Sequence, residues 1–108
     1  MATDRLAELF KFLEEDPNDP FLYYAVATEY VRQANDAKAL EYYQIVRSRF
    51  PNYVGTYYHL GKLLERTGKR EEAVDVYREG INAANDARDR NALRELKEAL
   101  TDITGEDE

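Results

Sequence analysis

A spacing of 34 residues runs through the middle of this chain. Tyr23, Val26, Ala27 and Tyr30 stand 34 positions before Tyr57, Leu60, Gly61 and Leu64, and Ala39 and Tyr43 stand 34 before Ala73 and Tyr77. Pro17 and Pro51 keep the same interval, as do the tyrosine pairs Tyr23-Tyr24 and Tyr57-Tyr58. A fixed period of this length marks a stacked repeat, in which each unit buries its apolar face only against a neighbour. The period therefore confines the chain to an array of small units before any single residue is interpreted.

The units are helical. Tyr57, Leu60, Gly61 and Leu64 fall at i, i+3, i+4 and i+7, and Ala73, Tyr77, Gly80, Ile81 and Ala84 form a second stripe. Between the stripes lies the stretch RTGKR, where Gly68 suits a left-handed helix C-cap. Gly61 sits inside the first stripe, where it costs the helix about 1 kcal/mol relative to alanine. Close helix crossings require small side chains. Ala27 and Gly61 are therefore expected to let each first helix press on its partner near Ala39 or Ala73. On this reading leucine at position 61 destabilises the crossing, and alanine is tolerated because Ala27 already occupies the equivalent place.

These positions resemble the tetratricopeptide repeat family, whose unit is a 34-residue helix–turn–helix. The family pattern asks for an aromatic residue, then a large aliphatic followed by a small residue, then a large residue in the first helix. Tyr57, Leu60-Gly61 and Leu64 match it, and so do Tyr23, Val26-Ala27 and Tyr30. The second helix asks for a small residue and an aromatic, met by Ala73 with Tyr77 and by Ala39 with Tyr43. Pro17 and Pro51 supply the closing proline. The departures are Ala34 for the inter-helix glycine, Val46 and Gly80 for a late alanine, and Asn85 for the last proline. The resemblance implies an all-α fold of six helices, with antiparallel helix-turn-helix repeats stacked as a short right-handed superhelix.

Residues 4–15 carry Leu6, Leu9, Phe12 and Leu13, which fall 34 before Leu40, Tyr43, Val46 and Arg47. They are expected to form a lone second helix, a cap beneath repeat one (residues 20–53). Asp19 and Pro20 read as an acidic N-cap followed by proline at the first helical position. Repeat two spans residues 54–87. Beyond Asn85 the period slips by two, and Leu93, Leu96 and Leu100 mark a further helix over residues 87–103. Lys97 takes its small position, so this helix reads as a solvating cap. Residues 105–108 form an acidic tail, expected to be disordered, and the whole is read as a complete single domain over residues 1–104.

Composition narrows the function classes. The net charge is -7, with 9 acids and 6 bases in residues 1–54 and 13 acids and 9 bases in residues 55–108. Neither half has the basic footprint of a nucleic-acid or anionic-membrane binder. There is no cysteine, which excludes disulfides, thiolate metal sites and cysteine nucleophiles. No basic-then-apolar leader opens the chain, and no apolar run approaches the roughly 18 residues of a membrane span. A cytoplasmic protein is expected. Five lysines stand beside ten arginines, a balance shared by ordinary acidic proteins and by salt-adapted ones.

No catalytic, cofactor-binding or metal-ligating set is expected. His59 is the only histidine, with neither a nucleophile nor an orienting acid assignable beside it. Glu14-Glu15-Asp16 and Glu71-Glu72 lack calcium-loop spacing, and Glu71-Glu72 suits the positive first turn of a helix.

The resemblance implies instead a non-catalytic interaction module that binds a peptide or partner protein in a concave groove lined by the first helices. The positions carried over are Phe21, Tyr24, Thr28, Val31 and Arg32, then Gly55, Tyr58, His59, Lys62 and Arg66, with Arg94 from the last helix. Tyrosine and arginine are enriched at binding hot spots. Tyr24 and Tyr58 could equally pack on each other between adjacent helices. A family subgroup grips acidic chaperone tails with a lysine/asparagine/arginine clamp. Its positions here hold Tyr24, Thr28, His59, Asn91 and Glu95, so chaperone-tail binding is not expected. The alternative reading is a self-associating adaptor whose groove is buried against another copy. A monomer or weak homo-oligomer is expected.

Overall fold

In the computed structural model, which describes residues 2–105, the chain forms six α-helices with no strand among the described residues. They are α1 (Ala2–Glu15), α2 (Pro20–Arg32), α3 (Asp36–Arg49), α4 (Gly55–Arg66), α5 (Arg70–Ala87) and α6 (Arg90–Thr104). Two compact units divide after Phe50, with α1–α3 in the first and α4–α6 in the second. Glu106, Asp107 and Glu108, the body of the expected acidic tail, lie outside the described residues.

In the first unit the sequence signals act where they stand. The Asp19 carboxylate accepts the Phe21 N–H at 3.0 Å, and Pro20 follows at the first helical position. This satisfies one of the amides that a helix N-terminus leaves unpaired. α2 ends in a turn through Ala34, whose φ of 61° is left-handed, and Asn35 then caps α3. The core joins Leu9 of α1 to Ala25 and Val26 of α2, with Leu6, Phe10, Leu13, Leu22, Tyr30 and Tyr42 around them. Tyr23 donates its hydroxyl to the Pro17 carbonyl at 2.7 Å. Arg49 lies over the Tyr23 and Phe50 rings and donates to the Tyr23 oxygen at 3.0 Å.

Phe12 corrects the sequence reading. The period sets it level with Val46, which is fully buried, yet half of Phe12 faces solvent (50%). Phe10 is packed in its stead, its ring centroid 6.0 Å from that of Tyr42. α1 packs chiefly against α2. The register of α3 therefore does not transfer to α1.

In the second unit Tyr57 repeats the Tyr23 bond, donating to the Pro51 carbonyl at 2.6 Å. Leu60, Leu63, Leu64, Val76, Tyr77, Leu96 and Leu100 are all but closed to solvent. A buried ring of 150–250 Å² contributes roughly 4–6 kcal/mol before entropy, at about 25 cal/mol per Å². The tyrosines are thus a large part of what holds so small a unit together.

The reason for Gly61 differs from the expected one. A Cβ built there would lie 2.2 Å from Cε1 of Tyr77, so the ring of Tyr77 occupies the space. The close approach is to an aromatic face rather than to Ala73, and alanine is not accommodated without a shift. Gly80 serves the same purpose one turn further along α5. A Cβ at Gly80 would stand 2.6 Å from the Tyr57 Cβ and 3.1 Å from Leu96 Cδ1, so the bare backbone admits both α4 and α6.

α5 has 18 residues where α3 has 14. Repeat one is closed by Pro51, and its counterpart Asn85 has an N–H and no ring, so the helix runs on to Ala87. Arg88 then turns left-handed (φ 57°) and Asp89 accepts the Ala92 N–H at 3.0 Å to start α6. α6 therefore begins at Arg90 rather than at residue 87. Arg70 donates to the Ile103 carbonyl at 2.9 Å, satisfying an acceptor at the far end of α6.

Candidate functional site

On α2, Phe21, Tyr24 and Thr28 lie at i, i+3 and i+7 and share one face. The Phe21 and Tyr24 ring centroids are 6.3 Å apart, and Tyr24 lies 6.2 Å from the Tyr43 ring of α3. The Thr28 hydroxyl is 3.0 Å from the Tyr24 carbonyl and 3.2 Å from the Tyr43 hydroxyl. Tyr24 is therefore half-buried and braced, and Phe21 stands at its edge with 51% of its surface exposed. A large apolar ring so exposed on an ordered helix is the most conspicuous feature of this face.

Val31 is half-buried on the same helix. Arg32 has a structural duty: its guanidinium grips both carboxylate oxygens of Glu29, and Gln33 adds a bond to that carboxylate at 3.2 Å. Glu29 is only 6% exposed, and the Arg32 hydrogen bonds hold its carboxyl below the usual carboxylate range. A buried carboxylate left alone would be costly. Arg32 is consequently already engaged within its own helix. Sequence reading missed Glu29. The signal was an acid at an apolar stripe position (Leu63 stands there in repeat two) with arginine three residues on.

On α4, the Tyr58 ring meets the His59 ring edge-on at 5.6 Å, and the Lys62 ammonium lies 5.6 Å from the Tyr58 centroid. Lys62 is also 3.7 Å from Glu65, whose carboxylate accepts the hydroxyl of Tyr77. Burial, then that hydrogen bond, pushes the Tyr77 phenol above its ordinary range. Partial desolvation lowers the pKa of His59, against the opposing pull of Glu95. Gly55 and Arg66 are exposed at the two ends of the helix.

Arg94 is grouped differently from the expectation. It borders a shallow depression of about 500 Å³ built from α6 alone, with Arg90, Leu93, Lys97 and Thr101 among its walls, and no residue of α4 takes part. Each repeat thus presents one aromatic face on its first helix, and the α6 depression, which Glu98 and Asp102 also line, is of mixed charge.

His59 lies edge-on to the Tyr58 ring. Among the described residues no three His, Asp or Glu side chains are grouped to hold a metal. No described helix is long and apolar enough to cross a membrane.

Comparison with known proteins gives a consistent result. Two tetratricopeptide repeat patterns match the chain, one over residues 22–53 and one over residues 54–86. A crystal structure of a tetratricopeptide repeat domain protein from Salinibacter ruber is 40% identical, with 81% of this chain and 97% of that one covered, at a TM-score of 0.77. A solution structure of a tetratricopeptide repeat domain protein from the same organism is 41% identical, covering 83% and 91%, at a TM-score of 0.79. A protein from Bordetella parapertussis shares the fold at 24% identity, with 94% and 89% covered and a TM-score of 0.77. No curated protein matches.

Proposed function

Because this chain belongs to the tetratricopeptide repeat family, we propose that it is a non-catalytic module that holds a partner protein or peptide on the faces of its first helices. Repeats of this family mediate protein–protein interaction. The observation that carries the finer reading is Phe21, half exposed beside a tyrosine that Tyr43 and Thr28 already hold in place. An aromatic surface fixed before binding loses little side-chain entropy when a partner covers it. On α4 the Tyr58 ring, with Lys62 above it and Arg66 a turn further on, favours an apolar anchor flanked by acid.

The test begins with capture of partners from the source cell on the immobilised chain. An identified partner is then titrated against native protein, Phe21→Ala and Tyr24→Ala/Tyr58→Ala. Hot-spot behaviour predicts a loss of about 30-fold or more for the double variant, corresponding to about 2 kcal/mol. Backbone amide shifts on adding the partner should cluster on α2 and α4. Shifts confined to α3 and α5, around Tyr42, Arg47 and Val76, would overturn the reading. If the captured partner is the chain itself, and Phe21→Ala disperses it, the faces serve self-association.

A further inference from the structure

His59 is the one histidine of the chain, and there is no cysteine. It is therefore the one side chain whose ordinary titration falls between about pH 5 and 8. The shifted groups elsewhere leave that window clear. The carboxyl of Glu29 is held below its usual range, and the phenols of Tyr42 and Tyr77 are pushed above theirs. The place of His59 is apolar in repeat one, where its counterpart Ala25 lies in the first unit's core with Leu9. A titratable group here is an addition of repeat two. The ring is exposed on α4, edge-on to Tyr58, with Lys62 one turn on and Arg66 two turns on along the same side.

We propose that His59 is a pH gate on the α4 face, strengthening its grip on an acidic partner as the pH falls. The inference rests on the partner-binding reading of that face, with its apolar anchor flanked by acid. Lys62, whose ammonium shares the Tyr58 ring with the imidazole, and Glu95 of α6 are the charges at this end of the face. Glu65, which accepts the Tyr77 hydroxyl and lies 3.7 Å from Lys62, is further along, as are Arg66 and Asp102. A neutral ring leaves Lys62 and Glu95 in balance. The imidazolium tips that balance by one positive charge. In the free chain burial disfavours this charge, and the pull of Glu95 opposes burial only in part. A partner carboxylate laid beside the ring favours the charged form, and by linkage the proton then favours the partner. A pKa raised by about one on binding corresponds to an affinity gain of about tenfold at full protonation.

The probe is a capped Glu-Glu-Leu-Glu-Glu peptide, titrated into the full chain between about pH 8 and 5, where its carboxylates stay largely ionised. Salt near 0.15 M gives a screening length of about 8 Å, which damps the repulsion from a chain of charge -7 and leaves contact pairs in force. Backbone amide shifts should appear on α4, and affinity should rise about three- to tenfold as the pH falls. The His59 ring resonances should titrate at a higher pH in the complex than in the free chain. His59→Gln should flatten the pH profile, and His59→Lys should flatten it at the stronger level. The uncharged Gln-Gln-Leu-Gln-Gln peptide should show no rise. An affinity that is level across the range, that falls with the pH, or that keeps its rise in His59→Gln would overturn the proposal. So would a ring titration unmoved by the bound peptide, or a peptide that shifts no amide at millimolar concentration. Shifts on α4 with a level affinity would remove the gate and leave the partner-binding reading standing. Shifts confined to other helices would overturn the reading of α4 and the gate with it.

Discussion

Tyr43 and Tyr77 hold the same place in successive repeats and find different partners for their hydroxyls. Tyr43 meets Thr28 at 3.2 Å and lies beside the Tyr24 ring. Tyr77 donates to Glu65, and its ring crosses the spot where a Cβ on residue 61 would stand. Three differences in the first helices account for this. Ala27 fills with a methyl the space that Gly61 leaves for a ring. Thr28 offers a hydroxyl where Lys62 has none. Glu65 offers a carboxylate where Val31 cannot. A buried phenol must find a partner, and each repeat has supplied one from its own first helix. One repeat template thus tolerates two polar closures, and the choice follows from three residues of the first helix.

The largest expected effect comes from forcing repeat two to take repeat one's residue at its tightest point. Gly80→Val copies Val46, but its Cβ would press on the Tyr57 Cβ, which is anchored to the α4 backbone and cannot swing aside. The cost should be about 3 kcal/mol or more, at the upper end of overpacking. Urea or thermal unfolding reads it. A midpoint within error of the native one would show that α4 and α6 do not close on α5 at Gly80.

Next comes Gly61→Ala. Helix propensity favours alanine by about 1 kcal/mol, and a 2.2 Å approach to the Tyr77 ring opposes it. Overpacking of about 1–3 kcal/mol should outweigh it, for a net loss of up to about 2 kcal/mol. The comparison sharpens with a transplant. Gly61→Ala/Lys62→Thr/Glu65→Val gives repeat two the surroundings of Tyr43, and most of the loss should return. A rise in the midpoint for the single variant would place the Tyr77 ring elsewhere.

Thr56 should move stability the other way. It is fully buried and its hydroxyl has no hydrogen-bond partner among the described residues. Its counterpart Leu22 is apolar and packs on the first unit's core. Thr56→Val keeps the shape and removes the unpaired group, so the protein should gain about 1 kcal/mol. A loss of stability would mean that the hydroxyl is satisfied in solution.

What the sequence made legible is what the period itself encodes. The hydrogen bonds from Tyr23 to Pro17 and from Tyr57 to Pro51 follow from tyrosines and prolines at a common interval. The Asp19-Pro20 start follows from local backbone chemistry. The misreadings share one physical cause, which is that a repeat alignment gives each position an average environment. Phe12 was set level with the buried Val46 of α3, and α1 does not share that helix's surroundings. Gly61 was assigned a backbone crossing when its neighbour is a ring whose rotamer the sequence does not state. Arg32 was read without its bond to Glu29, one turn away, because an average position does not show which neighbour a side chain takes. Arg94 was added to an α4 face that the slipped register of α6 does not extend.

The smallest expected effect concerns the turn between paired helices. Ala34 and Gly68 occupy equivalent left-handed positions, with φ of 61° and 82°. The flanking bonds match as well: Asn35 donates to the Tyr30 carbonyl and Lys69 to the Leu64 carbonyl, each at 2.8 Å. Both residues are exposed, so packing does not decide between them. An L-residue in this conformation costs about 1–2 kcal/mol, and glycine returns part of that gain, about 0.4–1 kcal/mol, through its freer unfolded state. Ala34→Gly should therefore stabilise by about 0.5 kcal/mol, and Gly68→Ala should destabilise by a similar amount. Opposite signs from mirror-image substitutions are the measurement, best read as paired urea midpoints on one preparation. If Ala34→Gly lowers the midpoint, the turn of repeat one does not hold the left-handed geometry of repeat two. The two repeats would then differ in backbone as well as in the partners of their tyrosines.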